Sequence, residues 1–198
     1  LCHRNVLAYI EWVIETFGFD EQTRFGNQTP FYFSMSVLDI YATLWSGGTL
    51  HILPKSLFTF PVPLLEYLNS HEVNTLYWVP SALSIVANWK ALDVLPVPTL
   101  KTVLFAGEVM PVRQLNYWRD KLPDARFANL YGPTEVTDIC ACYVVDRPFS
   151  DDESLPIGYP CNNCGILLLR PDGTPAPPGE EGEICVRGSF LAMGYYGE

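Results

Sequence analysis

Leu100-Lys101-Thr102-Val103-Leu104-Phe105-Ala106-Gly107 is an apolar run closed by a small-residue breaker pair, and its pairing with the next helical segment decides the fold. Val112, Leu115, Trp118 and Leu122 share one helical face, with Pro111 fitting the first turn, before Arg126 to Leu130 becomes extended again. Strand, helix, strand at this spacing is the unit of a parallel sheet, and ligands of open parallel sheets bind beyond the carboxyl ends of the strands. The stretch leaving the second strand, Asn129-Leu130-Tyr131-Gly132-Pro133-Thr134-Glu135-Val136-Thr137, lies at such an end.

The same cadence extends outward. Val6, Ile10, Val13, Ile14 and Phe17 recur at helical spacing between Arg4 and Phe17, with Asn5 as a candidate N-cap and Gly18 as the stop. Ser36 to Trp45 is expected to be helical and Thr49 to Leu53 extended. Leu64 to Ser70 again reads as helix, Asn74 to Val79 as strand, and Pro80-Ser81 opens a helix carrying Leu83, Val86 and Trp89. The expected class is α/β: over residues 1–150, a doubly wound, mostly parallel sheet with helices on both faces. Asp146 to Pro160 is rich in acidic residues, Pro and Gly, as a connector would be. Residues 151–198 then read as a linker and the start of a small antiparallel β subdomain, with strands at Gly165 to Leu169 and Gly182 to Gly188.

The chain has 198 residues, 48% of them hydrophobic, enough for a substantial core. A net charge of -10 repels nucleic-acid backbones and anionic membranes, so neither is expected as a partner. No apolar run is long enough to cross a bilayer, and the start lacks a targeting segment and an initiator Met, so the chain reads as a soluble, cytoplasmic fragment. Cys161 and Cys164 have knuckle spacing, but Cys140 and Cys142 are one residue apart in an alternating stretch. Six buried or scattered thiols in a reducing compartment explain the pattern better than zinc. His3, His51 and His71 occur singly, without a partner pattern.

A nucleotide needs a flat surface for its base, donors for its phosphates and a cation to balance them. Tyr131 offers a stacking face, and Gly132-Pro133 turns the chain so that the hydroxyl and N–H of Thr134 can meet a phosphate oxygen. Glu135 supplies a hard oxygen for Mg²⁺, which keeps several waters and needs only one or two carboxylates beside the substrate phosphates. Residues of these types also occur in ordinary loops, so composition alone leaves both readings open.

Tyr131-Gly132-Pro133-Thr134-Glu135 resembles the signature of the adenylate-forming ligases: acyl-CoA synthetases, adenylation domains of peptide synthetases and D-alanine carrier-protein ligases. The resemblance covers nearly the whole chain. Phe33-Ser34-Met35-Ser36-Val37-Leu38-Asp39-Ile40-Tyr41 with Ser46-Gly47-Gly48-Thr49-Leu50 is similar to the acid-binding segment. Val79-Pro80-Ser81, Ala106-Gly107-Glu108, Gly182-Glu183-Ile184 with Gly188, and Gly194-Tyr195-Tyr196 come in the family's order. It implies an ATP-dependent ligase that activates a carboxylic acid as its acyl-adenylate and passes it to the phosphopantetheine of a carrier protein or to CoA. Tyr131 would stack on adenine and Asn129 bond its amino edge, with Leu130 and the backbone of Gly107, Glu108 and Val109 lining the same pocket. Thr134 would hold the α-phosphate and Glu135 Mg²⁺, making these two the catalytic pair. Phe33, Ser34, Leu38, Tyr77, Leu104, Ala106, Asp138 and Ile139 would form the acid pocket.

By the same resemblance a phosphate loop would precede Leu1, and a mobile C-terminal domain with its catalytic Lys would come after Glu198. The isolated fragment is therefore expected to be inactive. Amino-acid-activating relatives carry Asp after the Phe of the acid-binding segment, whereas this chain has Ser34. Either the acid lacks an α-amine or another carboxylate holds it, Asp138 being the candidate, unless Asp138 is merely a solvated or capping residue. The leading expectation is an amino-acid-like acid. An aryl, keto or short-chain acyl-CoA ligase is next, and a catalytically inactive nucleotide- or carrier-binding module is the reading from another class.

Overall fold

The computed structural model describes every residue except Asn163 and Glu198. Helix α1 (His3–Phe17) forms on the expected apolar spacing and buries Tyr9, Ile10, Trp12, Val13 and Phe17. It starts earlier than an Asn5 cap implies. Cys2 is the N-cap, and Asn5 is the third helical residue, its Oδ1 accepting the Cys2 N–H at 2.9 Å. The asparagine thus serves as the reciprocal partner of a capping box rather than as the cap. Gly18 ends the helix at φ 72°, a left-handed geometry that glycine adopts without strain, and its N–H bonds Ile14 O.

The order continues β1 (Arg24–Asn27), α2 (Ser36–Ser46), β2 (Thr49–Ile52), α3 (Pro61–Ser70), β3 (Thr75–Trp78), α4 (Pro80–Asn88) and the short α5 (Ala91–Val94). β4 (Thr102–Phe105), α6 (Val112–Lys121), β5 (Arg126–Tyr131), β6 (Ala141–Val144), β7 (Tyr159–Pro160), β8 (Cys164–Leu169) and β9 (Glu183–Gly188) complete it. Pro111 is the N-cap of α6, one position outside the first turn. β1 has no counterpart among the strands expected from periodicity. Arg24, Gly26 and Asn27 are poor strand formers, and it is held by β2 on one side and β3 on the other.

Among the described residues the main sheet has seven strands, in the order β2-β1-β3-β4-β5-β6-β7. The first five are parallel in register, Phe25 against Thr75, Tyr77 against Leu104, and Leu104 against Ala128. β6 pairs antiparallel with β5, and β7 pairs antiparallel with β6. Side chains alternate across a strand, so the two faces feed two cores. Leu76, Trp78, Val103, Phe105 and Phe127 pack with α3, α4 and α6, whereas Tyr77, Leu104, Ala128 and Leu130 pack with α1 and α2. Helices thus cover both faces of a mostly parallel sheet, as the spacing predicts. The two largest buried indoles satisfy their N–H groups: Trp78 donates to Gly26 O at 2.7 Å and Trp118 to Leu83 O at 2.9 Å.

β8 and β9 pair antiparallel in a separate two-stranded sheet, the small β element expected at this end. Arg170 makes bidentate bonds to Glu180 at 2.6 and 2.7 Å across its connection. All six thiols are free. Burial pushes those of Cys140 and Cys142 up to about 11, so they stay protonated. Among the described residues no group of three or more His, Cys, Asp or Glu is arranged to hold a metal. His51 and His71, single in sequence, meet in space with ring centroids 5.1 Å apart, and Tyr67 stacks on His71 at 3.9 Å. No helix among the described residues is long and apolar enough to cross a membrane.

Candidate active site

The nine-residue motif occupies the point where the sheet changes direction. β5 delivers Asn129 to Tyr131, the chain bends at Gly132-Pro133, one 3-10 turn spans Thr134–Val136, and β6 returns antiparallel to β5. The bend must be tight. A Cβ on Gly132 would lie 2.4 Å from Asp138 O and 2.7 Å from Ile139 Cα, so only glycine lets the two arms touch. Thr137 and Asp138 then sit consecutively in left-handed geometry, at φ 56° and 86°. Backbone strain of this kind on non-glycine residues persists where the surroundings enforce it.

Two clefts meet at this bend. One, of about 330 Å³, is walled by Gly107, Glu108, Val109, Asn129, Leu130 and Tyr131, joined by Leu155 and Ile157 from the connector. Asn129 Nδ2 donates to Pro156 O at 2.9 Å, which leaves Oδ1 as that side chain's acceptor. The other, of about 470 Å³, is walled by Phe33, Ser34, Ala106, Thr134, Asp138 and Ile139, with Gln28, Thr29, Pro30 and Met35 beside them. Gly107, Glu108 and Gly132 belong to both. Thr134 Oγ1 lies 3.3 Å from Ser34 Oγ across the junction. The Glu108 carboxylate is engaged by the Ser81 N–H at 2.8 Å and the Ser81 hydroxyl at 3.1 Å in the first turn of α4.

Asp138 lies in the wall of the larger cleft, and it is buried. Tyr77 and Tyr9 both donate to its Oδ2, at 2.8 and 2.9 Å. Burial raises its carboxyl to about 6, and the hydroxyls of Tyr77, Tyr9 and Ser34 oppose that rise. Both tyrosines are held well above their ordinary range, first by burial and then by the Asp138 charge. Leu38 and Leu104 do not reach the cleft surface and lie behind it in the core; Tyr77 reaches the site only through its hydroxyl. Asp39 is buried beneath α2, accepts from Asn27 Nδ2 at 2.7 Å, and is driven well above the carboxylate range by burial. Three residues before Asp138, Glu135 is exposed, and a 2.6 Å hydrogen bond from Tyr195 holds its carboxyl below the usual value. Glu135 lines neither cleft but follows Thr134 directly, and an ionised, accessible carboxylate there has the donor chemistry a hard divalent cation takes.

Tyr9, Gln28, Thr29, Met35 and Tyr195 were not among the site residues read from sequence. Tyr9 is on the buried stripe of α1, where periodicity marks core, and its partner is 129 positions away. The Gln28–Pro30 turn comes directly after β1, so detecting that strand would have flagged it as a strand end.

The model of the AMP-binding enzyme family matches residues 1–196. The chain belongs to that family. It is 37% identical over 99% of its length to an L-proline--[L-prolyl-carrier protein] ligase of Pseudomonas fluorescens (strain Pf-5), and covers 39% of that protein. It is 34% identical over its full length to a D-alanine--D-alanyl carrier protein ligase of Bacillus cereus (strain G9842), again covering 39%. The solved structure of IdnL1 superposes with a TM-score of 0.91 at 29% identity, over 98% of this chain and 40% of the other. The Vibrio cholerae adenylation domain AlmE, in complex with glycyl-adenosine-5'-phosphate, superposes with a TM-score of 0.89 at 25% identity, over 100% and 38%. The chain thus spans about 39% of the length of the curated relatives it matches.

Proposed function

We propose that the intact protein is an AMP-forming ligase that activates an amine-bearing carboxylic acid and delivers it to the phosphopantetheine thiol of a carrier protein. The observation that carries this reading is the pair of clefts sharing Gly107, Glu108 and Gly132, with Thr134 at their junction and Asp138 in the wall of the larger one. In the smaller cleft Tyr131 stacks on adenine and Asn129 Oδ1 accepts from its amino group. The acid lies in the larger cleft with its carboxylate toward Thr134. Its oxygen attacks the α-phosphorus, the bond to pyrophosphate breaks, and the acyl-adenylate remains; the thiol sulfur then attacks the acyl carbon and AMP leaves. Thr134 holds α-phosphate oxygens, and Glu135 would hold Mg²⁺, which screens the phosphate charge when bound. Positioning and charge screening carry most of the rate in such transfers.

Ser34, the neutral residue next to Phe33, shares its cleft with Asp138. On this reading Asp138, from another wall of the same pocket, takes the pairing with the substrate ammonium. A buried ammonium without such a partner would cost several kcal/mol. Sequence relatives named as prolyl- and D-alanyl-carrier-protein ligases support an amino acid as substrate class. Acid-dependent ATP–pyrophosphate exchange by the full-length protein tests this with a panel of amino, aryl, keto and short-chain fatty acids. Amino acids should support exchange. Strong exchange with simple fatty acids and none with amino acids would overturn the reading.

A further inference from the structure

We propose that Tyr195 is a positioning residue for Glu135, fixing that carboxylate in the orientation a bound cation needs. This rests on the reading of Glu135 as the Mg²⁺ ligand. Glu135 is exposed on a turn of three residues, Thr134–Val136, where a free glutamate would sample several rotamers and lose that freedom on closing around a cation. Two contacts remove the freedom beforehand. The Tyr195 hydroxyl donates to Oε1 at 2.6 Å, and the Ala192 N–H donates to the Glu135 carbonyl at 2.6 Å. One segment, residues 189–195, therefore grips the residue at both its side chain and its backbone.

The segment is itself anchored. Asn5 Nδ2 donates to Ser189 O at 2.8 Å and Leu191 O at 3.0 Å, and Thr137 Oγ1 donates to Phe190 O at 2.6 Å. Phe190 is fully buried in the core beneath α1 and α2. A tyrosine on a loose tail would move with the carboxylate, whereas one hung from this fixed point restrains it. The hydroxyl uses one lone pair of Oε1 and leaves Oε2 whole for a cation. Groups that hydrogen-bond a metal-ligating side chain in this way orient it and tune its affinity. The Tyr195 ring is 63% exposed, so its packing contributes little.

The test uses the full-length protein. Tyr195→Phe should raise the Mg²⁺ concentration for half-maximal ATP–pyrophosphate exchange about 10-fold, with the rate at saturating Mg²⁺ retained. Mn²⁺ binding in the presence of ATP, read by electron paramagnetic resonance, should weaken by the same factor while the melting temperature stays put. Tyr196→Phe, at a fully exposed neighbour, should change none of these. Unchanged Mg²⁺ dependence and Mn²⁺ affinity in Tyr195→Phe overturn the proposal, as does an equal loss in Tyr196→Phe. Glu135→Gln separates the two layers. If it leaves Mn²⁺ affinity intact, the reading of Glu135 has failed and the role of Tyr195 with it. If it abolishes binding while Tyr195→Phe does nothing, the tyrosine's role alone is lost.

Discussion

Asp138 draws its properties from groups that local sequence cannot bring together. The family resemblance offers it as a pocket residue and leaves a solvated or capping role open, but its partners Tyr9 and Tyr77 come from α1 and β3. Helical and strand periodicity mark both tyrosines as inward-facing and say nothing of what their hydroxyls meet. Asp138→Asn should raise KM for an amine-bearing acid 10- to 100-fold, matching the loss of about 1.5–3 kcal/mol from a charge-assisted bond, with kcat little changed. In the wild type KM should fall as pH rises through about 6 and Asp138 ionises, and the Asn variant should lose that limb. Stability runs the other way. Because the folded carboxyl binds its proton more tightly than the unfolded one, its contribution is complete below about pH 4 and is lost as pH rises through about 6. Denaturant titrations of wild type against Asp138→Asn from pH 4 to 7 measure this difference directly, and a flat difference would contradict it.

At the scale of elements, the strand–helix cadence from β3 to β5 was legible because its strands are apolar and its helices keep one face. β1 was not, since its strand is made by neighbours on both sides rather than by its own propensity. The return from β5 to β6 depends on close backbone contact at Gly132. Gly132→Ala should cost about 1–3 kcal/mol in urea denaturation and abolish AMP binding in calorimetry, because every near atom belongs to backbone and cannot yield. Gly18→Ala, in open space at φ 72°, should cost only the left-handed penalty of about 1–2 kcal/mol and spare AMP binding. The edge strand β2 carries its own pH dependence. Burial, then the neighbouring His71 and Arg24 charges, hold His51 below its ordinary value, so the unfolded chain binds its proton more readily. Stability contributed there is present above pH ~6.5 and falls as the pH drops below it. His51→Gln should flatten that fall, measured as the difference in denaturation midpoint between pH 7 and 5.

Across the whole molecule, the start of α1 and residues 189–191 are tied by a single side chain, so distant parts of the chain meet there. Asn5→Ala removes both bonds and the Cys2 contact, and should cost about 1–3 kcal/mol. Amide exchange at Ala192 should accelerate in the variant, whereas exchange in β3 and β4 should track global stability alone. No pattern in the sequence announces this tie, because an asparagine near a helix start reads as a cap wherever its amide nitrogen goes. The consecutive positive φ angles of Thr137 and Asp138 bear on how such a pocket changes its diet over generations. Asparagine and aspartate tolerate left-handed backbone better than most residues, while β-branched side chains do so poorly. A lineage exploring new acids at position 138 would therefore pass through asparagine or glycine first. Valine or isoleucine would arrive only after the turn itself had been rebuilt, so backbone geometry restricts the mutational routes open to substrate choice.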